Sequence, residues 1–357
     1  MDGIGNQTTF DDTNYSISAI NKSSMDNNVI YLFINNLYVA LFFLLLAIAT
    51  HIAIIQAVYS RKVLSQPNYH IMVNVAFSNI MLALSLIIST LMVLIKPKTT
   101  VVPLIYTLLC KIFVIFPFYW SHVAFILTLV LASIERYKTV IRSISQLTKR
   151  KIKNYSILIW AISLCASFPF LFTAYNVQST CIPFDRLTSF LNIYYVAFIT
   201  IFYFIPNLFL IIIYTFIFYR HFHSSTVIIN DNESRNDRYI VTRSIITWLI
   251  ITILFIILTL PWIVTLLLTG ITQQNSFQIL NYNQNSNSCL RFFLLLAKAL
   301  LPGNVFISPV IYCIFNPHFR SLFLSCFYYH RRSSQRSIQL STIAASIASH
   351  DQSHSTV

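Results

Sequence analysis

The chain contains few charged residues and few glycines. Charged residues make up 10% of its 357 residues, whereas hydrophobic residues make up 56%. A soluble globular domain carries about 25% charged residues, so this composition excludes a soluble globule of this size. The four glycines exclude a collagen-like chain and a glycine-rich linker. The composition is typical of a helical membrane protein that crosses the bilayer several times.

The sequence also lacks the residue patterns of an enzyme. It has no spacing of metal ligands, no glycine loop that could cradle a phosphate and no pair of buried carboxylates. Glu135 is the one acidic residue that falls inside an apolar stretch. We therefore expect no catalytic residue, no metal site and no cofactor.

Seven apolar stretches are each long enough to cross a hydrocarbon core of about 30 Å as a helix. They are too long and too uniformly apolar for the strands of a barrel, which alternate with a period of two. The predicted spans cover residues 31–59, 69–95, 105–137, 154–175, 190–219, 242–269 and 290–314. The sequence therefore predicts an all-α membrane protein, a bundle of seven transmembrane helices.

Lysine and arginine are distributed unevenly between the two ends of these spans. Seventeen of the twenty-four fall on one side if successive spans alternate in direction. The positive-inside rule places that side in the cytoplasm and the N-terminus outside the plasma membrane. The net charge of +14 then reflects topology and attraction to anionic lipid of the inner leaflet, and we expect no binding of nucleic acid.

The N-terminal segment 1–30 supports this orientation. It is polar and carries three Asn-x-Ser/Thr sequons, at Asn6, Asn14 and Asn21, which predict an extracellular glycosylated tail. No basic start followed by a short apolar run and a small-residue cleavage site precedes the first span. We therefore expect the first membrane helix to act as the anchor.

The chain beyond the seventh span has an amphipathic pattern. Phe319, Leu322, Phe323 and Cys326 recur at three- and four-residue spacing, which predicts a short helix lying on the inner membrane surface and ending a membrane domain at 31–326. Cys326 is a candidate for palmitoylation, with an ordinary free thiol as the alternative. Residues 327–357 are rich in serine, and we expect a disordered cytoplasmic tail.

The third span carries the most distinctive residues of the chain. It opens with Cys110 and Lys111 and closes on Glu135-Arg136-Tyr137. The distance from Cys110 to Arg136 is about 39 Å along a helix, enough to cross the membrane with some tilt. One helix thus places a cysteine on one side and a charged triplet on the other.

Seven spans, an outer N-terminus and Glu135-Arg136-Tyr137 at the inner end of the third helix together resemble the rhodopsin-like G-protein-coupled receptors. The resemblance covers about 31–326 and implies a disulfide between Cys110 and Cys181. It implies that Glu135 holds Arg136 in the resting bundle until the sixth helix swings outward and a G protein binds. The spacing from Cys110 to Arg136 is one residue longer than the family leads us to expect, and a bulge near Pro117 would absorb it.

The resemblance also assigns activation roles on the later helices. Tyr214 is expected to reach the freed arginine, Pro261 to kink the sixth helix, and Tyr312 to move inward. The complete set for coupling and activation is Glu135, Arg136, Tyr137, Tyr214, Phe255, Pro261, Ser308, Pro309 and Tyr312.

Several positions depart from the family pattern. Thr259 stands where the family has a tryptophan, and Trp262 follows the proline instead, so the usual aromatic trigger is missing. Ser308 replaces the asparagine of the Asn-Pro-x-x-Tyr motif. Asn79 replaces an aspartate, and without that charge we expect weak or absent regulation by sodium. His51 replaces the asparagine of the first helix, either as a packing histidine or as a proton sensor.

The predicted ligand mouth is basic and aromatic. The third helix has no aspartate for a cationic amine, and Pro302 stands where the light receptors carry their retinal lysine. The candidate ligand residues are Lys111, Phe118, Tyr119, Arg186, Tyr194, Trp262, Arg291 and Lys298. Such a mouth suits a peptide or an acidic small molecule, including a lipid acid, although the rim charges could also be merely solvated.

The sequence leaves three functions to compare. The first is a receptor that binds an extracellular ligand and activates a heterotrimeric G protein. The second is a receptor-like decoy or scaffold without coupling, an alternative that Thr259, Asn79 and Ser308 favour. The third is a transporter, which usually shows charges along an intramembrane path or inverted repeats. Arg136, Tyr214 and Tyr312 favour the signalling receptor.

Overall fold

A computed structural model describes residues 37–59, 67–95, 103–141, 148–177, 180–183, 189–224, 234–272 and 288–315, together with Arg320. Several predicted features lie outside the described residues: the sequons at Asn6, Asn14 and Asn21, the rim residue Arg186, Cys326 with the rest of the amphipathic segment apart from Arg320, and the C-terminal tail. The side chains of Arg291 and Lys298 lie outside the described part as well.

In the part of the chain that the structure describes, seven long helices form a bundle. In chain order they are α1 (Leu37–Tyr59), α2 (Pro67–Leu94), α3 (103–141), α4 (Lys149–Ser167), α5 (189–224), α6 (Ser234–Thr272) and α7 (Ser288–Phe315). Six have apolar stretches of membrane-spanning length, and α7 contributes the shorter apolar stretch Leu300–Phe315. The predicted seven-helix bundle is confirmed.

Two helices begin well before the predicted spans. The structure starts α4 at Lys149 and α6 at Ser234, whereas hydropathy placed their starts at 154 and 242. Both extensions are polar and basic. A helix can continue beyond the hydrocarbon layer because water satisfies its polar face, and hydropathy detects only the apolar part.

Helix α3 lies at the centre of the bundle. The most apolar stretch of α3 is 72% buried inside the protein, whereas the corresponding stretches of α4 and α1 are 17% and 22% buried. It packs against α2, α4, α5 and α6, while α7 packs against α6 and α2. Exposed side chains such as Ile157 and Leu158 cover the outer face of α4, which is the face available to lipid.

Two of the helices contain a π-helical turn just before a proline. In α3 the π segment is Cys110–Ile115, followed by Pro117, and in α5 it is Thr200–Phe204, followed by Pro206. A π turn has a wider hydrogen-bonding pattern and inserts one extra residue without ending the helix. The predicted bulge near Pro117 is confirmed, and it accounts for the extra residue between Cys110 and Arg136.

A small hairpin and a disulfide close the Cys110 end of the bundle. Strands β1 (Tyr175–Val177) and β2 (Thr180–Ile182) pair antiparallel, with Asn176 opposite Cys181. The predicted disulfide from Cys110 to Cys181 is present, with the two Cα atoms 5.5 Å apart. The connection after α4 is thereby fastened to the first turns of α3. The two strands were not predicted from the sequence.

Candidate functional site

The charged pair at the far end of α3 is buried. The side chains of Glu135 and Arg136 are 1% and 5% exposed, and Arg136 Nε lies 3.3 Å from Glu135 Oε2. Thr139 donates a hydrogen bond of 2.9 Å to the Glu135 backbone carbonyl. Removing a charge from water is costly unless an opposite charge compensates it, so each residue depends on its neighbour. We call this end of the bundle the Arg136 end.

Aromatic residues of α5, α6 and α7 surround the Arg136 end. Tyr214 on α5 and Tyr312 on α7 are 4% and 1% exposed. Tyr312 packs edge-on against Trp248 of α6, with ring centroids 6.0 Å apart. Arg243 of α6 donates through Nε to the carbonyl of Phe315 on α7. These two contacts join the part of α6 at the Arg136 end to α7.

The middle of α6 contains the predicted hinge. Pro261 lies inside a continuous helix, and as a proline it cannot donate to the carbonyl one turn before it. Thr259 is fully buried and donates to the Phe255 carbonyl at 2.7 Å. Phe255 is also fully buried and packs on Phe125 of α3, with ring centroids 5.0 Å apart. The Thr259 hydroxyl therefore forms a hydrogen bond within α6, and its side chain contributes no aromatic contact.

A chain of rings runs from Trp262 through α3 to Phe255. Trp262 packs edge-on against Phe118 at 5.6 Å, Phe118 lies 5.7 Å from the His122 ring, and His122 lies 5.8 Å from Phe255. His122 also stacks on Tyr203 of α5 at 5.4 Å. Both ring nitrogens of His122 are buried without a hydrogen-bond partner among the described residues. The ring series therefore passes through Trp262, Phe118 and His122, and Thr259 has no part in it.

His122 was not among the site residues predicted from the sequence. An ionisable side chain inside a membrane span marks a candidate functional residue, and that signal was present in the sequence of α3. What the sequence did not show is that α3, α5 and α6 bring Phe118, Tyr203 and Phe255 around the imidazole.

Three of the predicted mouth residues have structural partners near the Cys110 end. Tyr119 is 1% exposed and stacks on Phe170 at 4.1 Å, and its place in the ligand mouth stays a prediction. The Tyr194 hydroxyl donates to the Ala166 carbonyl, which joins α5 to α4. Lys111 Nζ donates to the Phe172 carbonyl at 3.1 Å. Within the predicted set, Phe118 packs edge-on against Trp262 of α6 at 5.6 Å and against Tyr119 of its own helix at 5.3 Å.

The bundle centre is polar and uncharged. Asn79, Asn304 and Ser308 are each at most 1% exposed, and each has a side-chain atom without a hydrogen bond to the described protein. His51 is fully buried, and its Nε2 lies 3.1 Å from the Val305 carbonyl on α7. That contact favours the packing interpretation of His51, since the ring links α1 to the α7 backbone.

Comparison with models of protein families matches residues 50–312 to the 7 transmembrane receptor (rhodopsin family) model. The chain belongs to this family. Among curated proteins, none matches it closely enough to count as a relative. Members of the rhodopsin family are receptors and not enzymes, and the family implies an extracellular ligand and a G protein as partners.

A further cluster of hydrogen bonds joins α2, α3 and α4 of this rhodopsin-family receptor. Asn74 donates to Thr128 Oγ1 at 2.6 Å and accepts from Trp160 Nε1 at 2.7 Å. Trp120 in turn donates to the Trp160 backbone carbonyl at 3.1 Å. This cluster holds α3, and with it Arg136, in a defined position relative to α2 and α4.

Proposed function

We propose that this receptor binds an extracellular ligand and activates a heterotrimeric G protein. The observation that carries the proposal is the buried Glu135–Arg136 pair at the end of the central helix. An arginine that only marks the end of a helix at the membrane surface would not need to be buried. An arginine that is hidden in the resting receptor and exposed to the G protein on activation does need to be buried. Tyr214 and Tyr312, buried on α5 and α7, support the same role.

Activation would begin near Trp262 in this proposal. A ligand that displaces the Trp262 ring also disturbs Phe118, His122 and then Phe255, because the four rings are in series. Pro261 next to Trp262 weakens the backbone of α6 at that level, so the lower half can move as a lever. Outward movement of α6 would separate Trp248 from Tyr312 and open the Arg136 end to the G protein.

We further propose a ligand with an acidic group and aromatic character, with a peptide as the first candidate and a lipid acid or another small anion as the second. Glu135 is the single acidic residue among the described side chains, and it is already paired with Arg136. A cationic amine would therefore find no free carboxylate in the described bundle. Arg291 and Lys298, with Phe118 and Trp262, are the residues we assign to the ligand.

The proposed orientation places the N-terminus outside the plasma membrane and the Arg136 end in the cytoplasm. Its support is the excess of lysine and arginine on one side of the spans and the three sequons in the N-terminal segment. An N-terminal epitope tag should then stain intact cells without permeabilisation. The same tagged cells can be used in the coupling experiment.

Arg136→Ala tests the proposed function. Tagged wild type and variant are expressed at equal surface level and challenged with a library of peptides and acidic small molecules while G-protein recruitment is recorded. We expect wild type to recruit a G protein with at least one ligand, and Arg136→Ala to retain ligand binding but lose more than about 90% of recruitment, a cost above ~1.4 kcal/mol. Lys151→Ala, which removes an exposed basic residue of α4 at the same end, should behave as wild type.

Two results would contradict the proposal. Recruitment that survives in Arg136→Ala would remove the arginine from the coupling mechanism. Ligand binding at the surface of wild-type cells without recruitment of any G protein would favour the decoy, and Thr259, Asn79 and Ser308 would then mark lost signalling.

A further inference from the structure

A glycine of α6 lies directly against α5 near the Cys110 end of the bundle. Gly270 is buried two residues before α6 ends, and it faces the segment Ser189–Ile199 of α5. A Cβ atom placed there would lie 3.0 Å from Val196 Cγ2, 3.5 Å from Tyr195 Cδ1 and 3.8 Å from Asn192 Oδ1. Carbon atoms in contact are normally about 3.5–4.0 Å apart, so a methyl group does not fit beside Val196. The missing side chain is what lets the two helices come this close.

The α5 side of this contact is firmly supported. Val196 is β-branched, and such side chains have one strongly preferred rotamer in a helix, so its methyl group cannot turn away without cost. Tyr195 is fully buried and packs edge-on against Phe170, with ring centroids 6.4 Å apart, and Phe170 stacks in turn on Tyr119 of α3. A methyl group added at Gly270 would therefore displace α6 and not the side chains of α5.

The part of α6 from Pro261 to Gly270 is continuous helix, and it also carries Trp262. Thr265 donates to the Pro261 carbonyl at 2.9 Å and Thr269 donates to the Thr265 carbonyl at 3.0 Å, so these buried hydroxyls are satisfied within α6. Gly270 lies about 12 Å beyond Trp262 along the helix axis. A displacement of α6 at Gly270 is therefore transmitted to Trp262 through the helical backbone.

We propose that Gly270 is a positioning residue that keeps the receptor inactive when no ligand is bound. Its missing Cβ holds α6 against α5, and this spacing keeps the Trp262 ring in contact with Phe118. A side chain at position 270 pushes α6 away from α5 and loosens that contact, which imitates the displacement of Trp262 by a ligand. The positioning is independent of signalling, whereas its effect on recruitment rests on the proposed function.

Fluorine NMR of the full-length receptor in detergent tests the positioning without a ligand or a G protein. The protein is labelled with 5-fluorotryptophan, which gives one resonance for each of its four tryptophans, and Trp262→Phe assigns the resonance of Trp262. We expect Gly270→Ala to shift that resonance by more than its linewidth, and Gly270→Val to shift it further. The resonances of Trp120 and Trp160 should stay in place, because a hydrogen bond joins these two residues between α3 and α4.

Two variants control for the substitution itself. Gly270→Ala/Val196→Ala removes the methyl groups that the new Cβ would meet, and it should return the Trp262 resonance to its wild-type position. Gly303→Ala adds a Cβ to α7 where the described protein offers it no contact within 4 Å beyond its own helix, and it should leave the spectrum unchanged. Because alanine favours a helix more than glycine does, Gly303→Ala should also unfold at a higher temperature than Gly270→Ala, in which the clash opposes that gain.

The outcome for Trp262 decides the positioning. A resonance that does not move in Gly270→Ala or in Gly270→Val would overturn the proposal. A resonance that stays shifted after Val196→Ala is added would overturn it as well, because the shift would then not come from the contact between α5 and α6.

Recruitment in cells connects the positioning to signalling. Without added ligand and at equal surface level, Gly270→Ala should raise basal G-protein recruitment about twofold to threefold over wild type, the effect of losing about half of an edge-on aromatic contact. Gly270→Ala/Val196→Ala and Gly303→Ala should stay at the wild-type level. Unchanged basal recruitment in Gly270→Ala, in a receptor that does recruit a G protein with a compound of the library, would overturn the role of Gly270 in signalling. If the Trp262 resonance shifts as expected and neither wild type nor any variant recruits a G protein, the proposed function fails and the positioning by Gly270 stands.

Discussion

Asn74 shows how a single polar side chain can hold three helices together inside a membrane protein. It is 8% exposed, and its amide bonds to Thr128 of α3 and to Trp160 of α4 from its place on α2. A buried amide without partners would be costly, because lipid and packed side chains offer no replacement for water. The two bonds therefore specify how α2, α3 and α4 are rotated relative to one another.

Replacing this amide should lower the stability of the receptor. We expect Asn74→Leu to cost about 1–2 kcal/mol, since hydrogen bonds between membrane helices average ~0.6 and reach ~1.7 kcal/mol. The measurement is the midpoint of thermal unfolding in detergent. A double-mutant cycle with Trp160→Phe, which keeps a ring but removes the donor, should show coupling of about 0.6 kcal/mol or more.

The control for this cycle is Thr90→Val on the same helix. Thr90 bonds to the Leu86 carbonyl of its own helix, about 24 Å from Asn74 along α2. Its effect should add to that of Asn74→Leu without coupling. Coupling as large as that with Trp160→Phe would show that the cycle reports general loosening of α2.

At the scale of the element, α3 combines an irregular start with a regular remainder. The π turn at Cys110–Ile115 inserts one residue near the disulfide, and the α-helix from Phe116 to Ile141 then carries His122 and Arg136 at fixed rotations. Since each residue of an α-helix turns by about 100°, one uncompensated residue would rotate the arginine away from its buried position. The π turn is what allows both ends of α3 to fit.

Single-residue deletions in α3 test this account. Deleting Phe113, a 47% exposed residue of the π turn, should convert that turn to α-helix and leave surface expression and ligand binding close to wild type. Deleting Leu127 from the regular helix should abolish both, because it rotates the whole upper half of α3 against the lower half. Two deletions that are equally damaging would mean that the π turn does not absorb the extra residue.

At the scale of the whole molecule, one covalent bond joins the β1–β2 hairpin to the central helix. The disulfide links residues 71 apart in the sequence, and a short helix, Phe170–Thr173, separates α4 from β1. Closing a loop of that length is worth at most about 4.4 kcal/mol in the chain-entropy model. The effect is smaller in a membrane protein, whose unfolded chain is already confined by its inserted helices.

Cysteine substitutions should reveal that bond in cells. Cys110→Ser, Cys181→Ser and the double variant are expected to reduce surface expression and ligand binding by the same amount, because each removes the same bond. Cys165→Ser changes an exposed free cysteine on α4 and should have no effect. The measurement is surface staining with ligand binding, and a double variant clearly worse than either single one would contradict a shared bond.

The apolar spans could be predicted from hydropathy, because each span is encoded in neighbouring residues. The Cys110–Cys181 bond, the bulge near Pro117 and the pairing of Glu135 with Arg136 were implied by the resemblance to the rhodopsin-like receptors, and the structure agrees with each. The packing of Tyr119 on Phe170 could not be predicted from the sequence, for a physical reason. A ring near the end of a helix can face either a cavity or a neighbouring helix, and the rotation of the helix decides which.

The membrane class and the number of helices were readable from the amino-acid order, because transfer into lipid depends on each segment separately. Packing could not be read in this way. That His122 meets Phe255 and Tyr203, that Trp262 reaches Phe118, and that Gly270 lies against Val196 all depend on several helices at once. Those contacts are set by the mutual rotation of the helices, which only the folded bundle determines.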